Sequence, residues 1–260
     1  MAERPVFPGL GELPIEQPPQ GYSPPHRHYT CYMTSSPITI DGVLDKAPWR
    51  SAPRMEAFVD ILGPDVNPPE FNTRVKMLWD RDFLYVSADL DEHDVWGTLT
   101  ARDSHIFRDT DFEVFIDPDC DGRNYVELEI NALNTIFDVF VDKPFSVGGT
   151  VDIGFDFEGI RHAVRIDGSL NWPHDTDRGW TVEIAFPWES IAGLTEGGCP
   201  PQDGDVWSMN FGRVHWDRDK AGGHHLEDCG MSVWSPPGAF NMHIPGNWGT
   251  VTFSETAVGD

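Results

Sequence analysis

Carboxylates fill most of the alternate positions in two neighbouring stretches of this 260-residue chain. In Asp111 to Asp117, the residues Asp111, Glu113, Phe115 and Asp117 share one side while Phe112, Val114 and Ile116 share the other. In Tyr125 to Asn131, Tyr125, Glu127, Glu129 and Asn131 oppose Val126, Leu128 and Ile130. A period of two marks β-strands with one face turned to a core. Only Pro118 to Asn124 separates the runs, so they are expected to pair as antiparallel neighbours, with Glu113 and Asp117 near Glu127 and Glu129. Like charges facing across strands cost ~0.2–1 kcal/mol per pair. Three arrangements would make such a face tolerable. It is solvated and screened by salt; or arginines such as Arg102, Arg108 and Arg213 neutralise it; or the carboxylates accept hydrogen bonds from a hydroxyl-rich ligand. The ten tryptophans favour the last, because sugars stack their C–H faces on aromatic rings while carboxylates and amides grip the hydroxyls.

Other residues could do different chemistry. Asp117-Pro118-Asp119-Cys120-Asp121-Gly122 has the DxDxDG spacing of a calcium loop, with Asn124 or Glu127 as further oxygen donors. The terminal Glu of an EF-hand is replaced by Leu128, and the spacing also suits an ordinary Asp/Gly hairpin loop. His215, His224, His225 and His243 are late in the chain and could hold a transition metal. The alternative is a solvated loop around Gly222-Gly223-His224-His225. Glu113 and Glu129 could act as an acid–base pair in a glycoside hydrolase, or Glu129 or His243 in a lyase or isomerase/cyclase. No GxSxG, P-loop or dinucleotide fingerprint is present. Binding is the expected function and catalysis the alternative.

The elements that must position these residues are strands. Arg74–Asp80 and Phe83–Asp89 alternate around the turn Asp80-Arg81-Asp82, which predicts a hairpin. Further strands are expected over 136–141, 160–166, 180–186, 206–216 and 250–253, with helical signals only over 44–50 and 187–192. Nothing repeats at a fixed period and no linker divides the series, which predicts an all-β, two-sheet antiparallel β-sandwich over 37–255. Residues 1–36 are Pro-rich and expected to form an extended arm, and 256–260 a tail. The formal net charge of −25 comes from 43 acidic and 18 basic residues. It argues against nucleic-acid and anionic-membrane partners. No apolar run reaches the ~20 residues that span a bilayer, and residues 1–20 lack a signal-peptide pattern. The expected setting is cytoplasmic, or exported with a leader removed. Cys31, Cys120, Cys199 and Cys229 form no CxxC pair; one or two disulfides are compatible with the count.

An ordered set of motifs resembles family 9 carbohydrate-binding modules. Ile40-Asp41-Gly42-Val43-Leu44-Asp45 with Trp49 is similar to their opening motif, and Val75-Lys76-Met77-Leu78-Trp79-Asp80 with Leu84-Tyr85-Val86 to their first hairpin. Asp111 to Asp117, Tyr125 to Asn134, Gly179 to Ile184, and Trp234-Ser235-Pro236 through Trp248-Gly249 follow in order. The resemblance runs from about Ile38 to Phe253 and implies a jelly-roll or DOMON-like sandwich, often with bound calcium, that holds a terminal sugar. Matched to those motifs, the aromatic clamp falls on Phe107 and Met242, neither of them tryptophan. The polar positions fall on Glu113, Glu129 and Asn131, with Glu129 in place of a basic residue. The expected ligand, a carbohydrate or similar polar small molecule, is therefore bracketed by Phe107 and Met242 and hydrogen-bonded by Glu113, Glu129, Asn131, Arg213 and His243. The expected metal set is Asp117, Asp119, Asp121 and Asn124, holding Ca2+. DOMON relatives that bind haem suggest a remoter alternative, pairing Met209 or Met242 with His215 or His243.

Overall fold

The computed structural model describes residues 16–218 and 225–258, with side chains described for all of these except 217–218 and 225–228. Its thirteen strands are β1 (His28–Thr34), β2 (Val59–Asp60), β3 (Thr73–Trp79), β4 (Phe83–Asp91), β5 (Asp111–Asp117), β6 (Tyr125–Asn131), β7 (Ile136–Val141), β8 (Val151–Asp152), β9 (Arg161–Asp167), β10 (Gly179–Pro187), β11 (Val206–Arg218), β12 (His225–Val233) and β13 (Gly249–Val258). The α-helices among the described residues are two short ones, α1 (Ala47–Ser51) and α2 (Trp188–Ile191). Strands follow the hydrogen-bonded order β8-β7-β6-β5-β11-β13-β1-β3-β4-β10-β9, with β12 added to β11 and β2 to β12.

This path folds back on itself as a sandwich. Phe112, Val114 and Ile116 of β5, Val126, Leu128 and Ile130 of β6, and Met209 and Phe211 of β11 meet Val75, Met77 and Trp79 of β3, Val86, Ala88 and Leu90 of β4, and Val182 and Ile184 of β10. All are buried, and burying each large apolar side chain contributes about 1.5–3 kcal/mol. The period-two patterns thus place their apolar sets between the sheets, and the alternate residues on the two outer faces. The predicted hairpin is present: Asp80 Oδ1 accepts from the backbone N–H groups of Asp82 (2.8 Å) and Phe83 (2.9 Å).

The sheet is mixed, not purely antiparallel. β1 pairs in parallel with both β13 and β3. Its residues lie in the stretch expected to be an arm, but Tyr29 and Cys31 alternate into the core. The Tyr29 hydroxyl accepts from Met77 N–H at 3.1 Å and donates to Pro53 O at 2.9 Å. The proline-rich flanks masked a short apolar alternation. At the other end Ala257 and Val258, expected in a tail, extend β13 beside Met33 and Thr34. Residues 1–15 and 259–260 of the expected arm and tail lie outside the described residues. β12 was not foreseen, because its sequence His225-Leu226-Glu227-Asp228-Cys229-Gly230 carries no clean alternation.

The opening motif has a structural task on the outer face of the second sheet. Glu183 of β10, fully buried, accepts from the N–H groups of Asp41 (2.9 Å) and Gly42 (2.7 Å), from Lys46 Nζ (2.6 Å) and from Trp49 Nε1 (2.6 Å). Gly42 has φ +78°, and a Cβ there would press to 3.0 Å from Arg165 N, so this turn requires glycine. Removing the carboxylate strands two buried donors, Gly42 N–H and Trp49 Nε1, and takes a partner from the part-buried Asp41 N–H and Lys46 Nζ. Glu183→Ala should cost about 3–5 kcal/mol, the loss typical of one partner of a buried ionic cluster. Urea unfolding measures this; a loss below about 1 kcal/mol, the size of an exposed ion pair, would contradict it.

Candidate functional site

Strand register builds the acidic face as the sequence suggests. Glu113 lies opposite Glu129, Asp111 opposite Asn131, and Phe115 opposite Glu127. The face is not solvated. Asp111 and Asn131 are 0% exposed, Glu113 and Glu129 3%. Its apolar cover comprises Ile106 and Phe107 of the 3-10 turn Ile106–Arg108, Met231 and Val233 of β12, and Met242 and Trp248 from the loop before β13. On the facing strand Gly212 pairs with Glu113. A Cβ at Gly212 would lie 2.2 Å from Glu113 Oε2, so glycine is what lets that carboxyl lie flat on the sheet.

Backbone amides hold parts of the cluster. Phe107 N–H donates to Glu129 Oε2 at 2.8 Å and Val214 N–H to Asp111 Oδ1 at 3.1 Å. Asn131 is satisfied internally: its Oδ1 accepts from Leu133 N–H and Thr135 N–H, and its Nδ2 donates to Leu99 O and Asp109 Oδ2. Asp111 Oδ2 and Glu113 Oε2 are buried without a partner. Burial, then repulsion among Asp111, Glu113, Glu127 and Glu129, pushes Glu113 and Glu129 far above the usual carboxylate range; burial does the same to Asp111. Burial raises Glu127 to about 8, against a smaller opposing hydrogen bond with Glu129.

Met242 and His243 also lie over this face, so the structure gathers Phe107, Glu113, Glu129, Asn131, Met242 and His243 in one region. Phe107 and Met242, the expected bracket, are 6% and 5% exposed. His243 Nδ1 is 3.1 Å from the Tyr125 hydroxyl and its Nε2 is 3.8 Å from Glu127 Oε2. Burial lowers its pKa to about 4, so the imidazole is neutral at pH 7. It borders a cavity of about 400 Å³ with Arg123 and Pro144.

Arg213 is elsewhere. Gly212 and Val214 of β11 face the carboxylates, so Arg213 and His215 point to the opposite side. Contrary to one expectation, Arg102, Arg108 and Arg213 form no direct ion pair with Asp111, Glu113 or Glu129 among the described residues. Arg213 acts on Asp111 only through its charge at longer range, which favours the ionised carboxylate. Arg213 instead donates from Nη2 to Glu92 Oε2 (2.8 Å) and from Nη1 to Asp91 O (2.8 Å), and its guanidinium is 5.4 Å from the Phe71 ring centre. Glu92 Oε2 is also 3.0 Å from His215 Nδ1. Burial alone would raise Glu92, but His215 and Arg213 together hold it below its ordinary value. Arg213 and His215, though not Glu92 itself, wall a cavity of about 160 Å³ with Asp60, Asn67, Glu70, Phe71 and Ser232. Arg213 Nε is buried there without a partner. Sequence reasoning missed Phe71, Glu92 and this cavity, because Asn67-Pro68-Pro69-Glu70-Phe71 has no periodicity to read.

In the aspartate loop, carboxylate oxygens of Asp117, Asp119 and Asp121 lie within 4.8 Å of one another. Asp117 is buried and the other two exposed. Gly122 N–H donates to Asp117 Oδ2 at 2.9 Å, while Asp117 Oδ1 is buried and unpartnered. Burial first, then Asp119 and Asp121, raises Asp117 to about 7. Asn124, with φ +50°, borders the same cavity as Asp119 and Asp121. This donor set suits a hard cation.

Three of the four Met–His haem pairings are not assembled, the exception being the sequence neighbours Met242 and His243. Met209 and His215 share a face of β11 six residues apart, about 20 Å along a strand. Met242 lies on the opposite side of β11 from His215, and Met209 in the inter-sheet core away from His243. His224 lies outside the described residues, and of the His225 side chain nothing is described. The four cysteines are free thiols. No helix among the described residues is long and apolar enough to cross a membrane.

The model of the family described as "Carbohydrate family 9 binding domain-like" matches residues 40–256. The chain belongs to this family. Among curated proteins it resembles Exoglucanase XynX of Acetivibrio thermocellus, 27% identical over 58% of this chain. It also resembles Endo-1,4-beta-xylanase A of Thermoanaerobacterium saccharolyticum, 27% identical over 54%. The matched parts are 12% and 11% of those relatives' lengths. Among solved structures, a family 9 carbohydrate-binding module of Caldicellulosiruptor kristjanssonii in complex with cellotriose superposes with TM-score 0.53 at 15% identity, covering 87% of this chain and 94% of that one. A Bacteroides uniformis protein assigned a carbohydrate-binding role gives 0.62 at 16% identity, covering 89% and 100%. At these identities the superpositions show the family 9 fold.

The buried carboxyls make stability depend on pH. Asp111, Glu113, Asp117, Glu127 and Glu129 bind protons more tightly folded than unfolded. Their contribution is complete below the unfolded values of 3.8–4.5 and is lost as pH rises through the folded ones, about 7 for Asp117 and about 8 for Glu127. His243 acts oppositely, losing its contribution as pH falls from 6.5 towards 4. Above pH 6.5 the carboxyls act alone. Protein freed of divalent ions should therefore lose stability between pH 6.5 and 8, by at least ~1 kcal/mol. Urea unfolding in chelator reads this; a flat or rising profile would contradict it.

Proposed function

We propose that this family 9 domain binds carbohydrate, with a sugar seated in the cavity beside Phe71. Membership of the family supports carbohydrate as the ligand class, and the related module's complex with cellotriose supplies a probe. The observation that carries the location is the cavity itself. It joins an aromatic ring to Arg213 and His215, both held by the carboxylate of Glu92, with Asp60, Glu70 and Ser232 around them. A ring flanked by oriented donors and acceptors is what a sugar needs, since hydroxyls bond the polar groups while C–H faces stack. The volume is below the ~300–1,000 Å³ of sites for drug-sized ligands, which suits a single sugar unit.

Direct grip by Glu113, Glu129 and Asn131 between Phe107 and Met242 is the second reading, supported by their convergence on one face. It requires displacing the apolar cover formed by Phe107 and Met242. In the cavity beside Phe71, Arg213 is as buried, at 1% exposure, so the groups a sugar meets there are chiefly Phe71, His215, Glu70 and Asp60. Titration calorimetry with glucose, cellotriose and xylotriose separates the two. We expect Phe71→Ala to weaken binding at least tenfold, ~1.4 kcal/mol, and His243→Ala to leave it unchanged. Loss of binding in Glu129→Ala but not in Phe71→Ala would move the sugar to the acidic face, and no heat from any of the three sugars would overturn the proposal.

We further propose that Asp117, Asp119, Asp121 and Asn124 hold Ca2+. The buried, unpartnered Asp117 Oδ1 supports this. Calcium at a hundredfold above its Kd should stabilise the protein by ~2.7 kcal/mol. Thermal melts with and without chelator test it. The gain should shrink in Asp119→Asn/Asp121→Asn, and an unchanged gain would place the ion elsewhere.

A further inference from the structure

We propose that Asp111, Glu113 and Glu129 form a second cation site, holding one hard divalent ion beneath the apolar cover of the acidic face. The site rests on the reading that the sugar binds in the cavity beside Phe71, because a sugar gripped by Glu113 and Glu129 would compete with the ion for the same oxygens.

Oxygens from the three carboxyls all lie within 4.8 Å of one another. Calcium–oxygen distances of about 2.3–2.6 Å place two ligands on opposite sides of one ion about 4.6–5.2 Å apart, so a single ion can touch all three. The group is at most 3% exposed. Two of its oxygens, Asp111 Oδ2 and Glu113 Oε2, are buried with no hydrogen-bond partner. A buried acceptor left unpaired costs about 1–3 kcal/mol, more when charged, and bound metal would remove both costs together. Two of the other oxygens are positioned by backbone donors, Glu129 Oε2 by Phe107 N–H and Asp111 Oδ1 by Val214 N–H. Gly212 keeps the ground beside Glu113 clear of a side chain.

A third carboxylate cluster shows what a countercharge looks like in this protein. Asp103, Asp138 and Asp156 are equally close together, but Arg102 Nη2 sits 2.7 Å from Asp138 and 2.5 Å from Asp156. No described basic side chain forms an ion pair with Asp111, Glu113 or Glu129. With no direct ion pair, and only the more distant charge of Arg213 acting on Asp111, burial drives the three carboxyls towards holding protons. The donor set is all oxygen and anionic, which selects calcium or magnesium over softer metals.

The test uses the full chain carrying Asp119→Asn/Asp121→Asn, which disables the exposed loop, with no sugar present. After chelator treatment, CaCl2 and MgCl2 are titrated calorimetrically and bound metal is counted. We expect one equivalent of at least one ion, and at least a tenfold weaker affinity when Glu113→Gln is added. Infrared spectroscopy of the loop variant at pH 7 gives a readout that needs no change in the cluster. The absorption of protonated carboxyl groups should weaken as the ion binds. Absence of bound metal, affinity unchanged by Glu113→Gln in a folded protein, or carboxyl absorption unaltered at one bound equivalent would each overturn the proposal. Because the test contains no sugar, failure here leaves the carbohydrate reading standing, and absence of sugar binding in the calorimetry leaves this one standing.

Discussion

Glu113 and Glu129 face each other across two paired strands while shut away from water, and the surrounding structure answers that constraint. Register alone brings them together, because β5 and β6 carry their apolar residues into the inter-sheet core and must turn the alternate residues outward. The outward face would ordinarily meet solvent. Here Phe107, Met231, Met242 and Trp248 cover it, so each carboxyl needs a backbone donor, a proton or a cation. Phe107 illustrates the economy of the arrangement. Its ring helps close the face while its N–H supplies Glu129 with a hydrogen bond.

β11 links this closed face to the open cavity. Gly212 and Val214 lie against the carboxyls, and Arg213 and His215 point to the other side, where Glu92 fixes them beside Phe71. One strand therefore serves two chemically different surroundings through its pleat. On one side anionic groups are crowded and dry; on the other a guanidinium and an imidazole share one carboxylate at the wall of a cavity. A sugar site in that cavity draws its rigidity from Glu92, whose Oε1 also accepts from His93 N–H at 2.9 Å. Polar groups held this way need little reordering when a ligand arrives.

Much of the fold was legible because alternation and burial are the same fact seen twice. Phe112, Val114, Ile116, Val126, Leu128 and Ile130 announced the core, and with it the opposing row of carboxylates. The parallel strand β1 was not legible, since a strand of seven residues among prolines looks like an arm until its partners are known. The candidate site was legible in part. Spacing placed Glu113 against Glu129, but nothing local reports that loops distant in sequence will close over them. Arg213 was misplaced for a simpler reason. It is one residue from Gly212, and in a strand one residue is the difference between two faces. Phe71 and Glu92 carried no signal because neither lies in a periodic run. Asp41, Gly42 and Trp49 were legible as a motif, but only the structure shows that their common partner is Glu183.

On the proposed reading the acidic face stays closed while the cavity beside Phe71 takes the ligand. A crystal structure of the protein soaked with cellotriose tests it most directly. The sugar ring should lie against Phe71 and beside His215, with Phe107 and Met242 still covering Glu113 and Glu129. A sugar bound to Glu113 or Glu129 between displaced Phe107 and Met242 would contradict it.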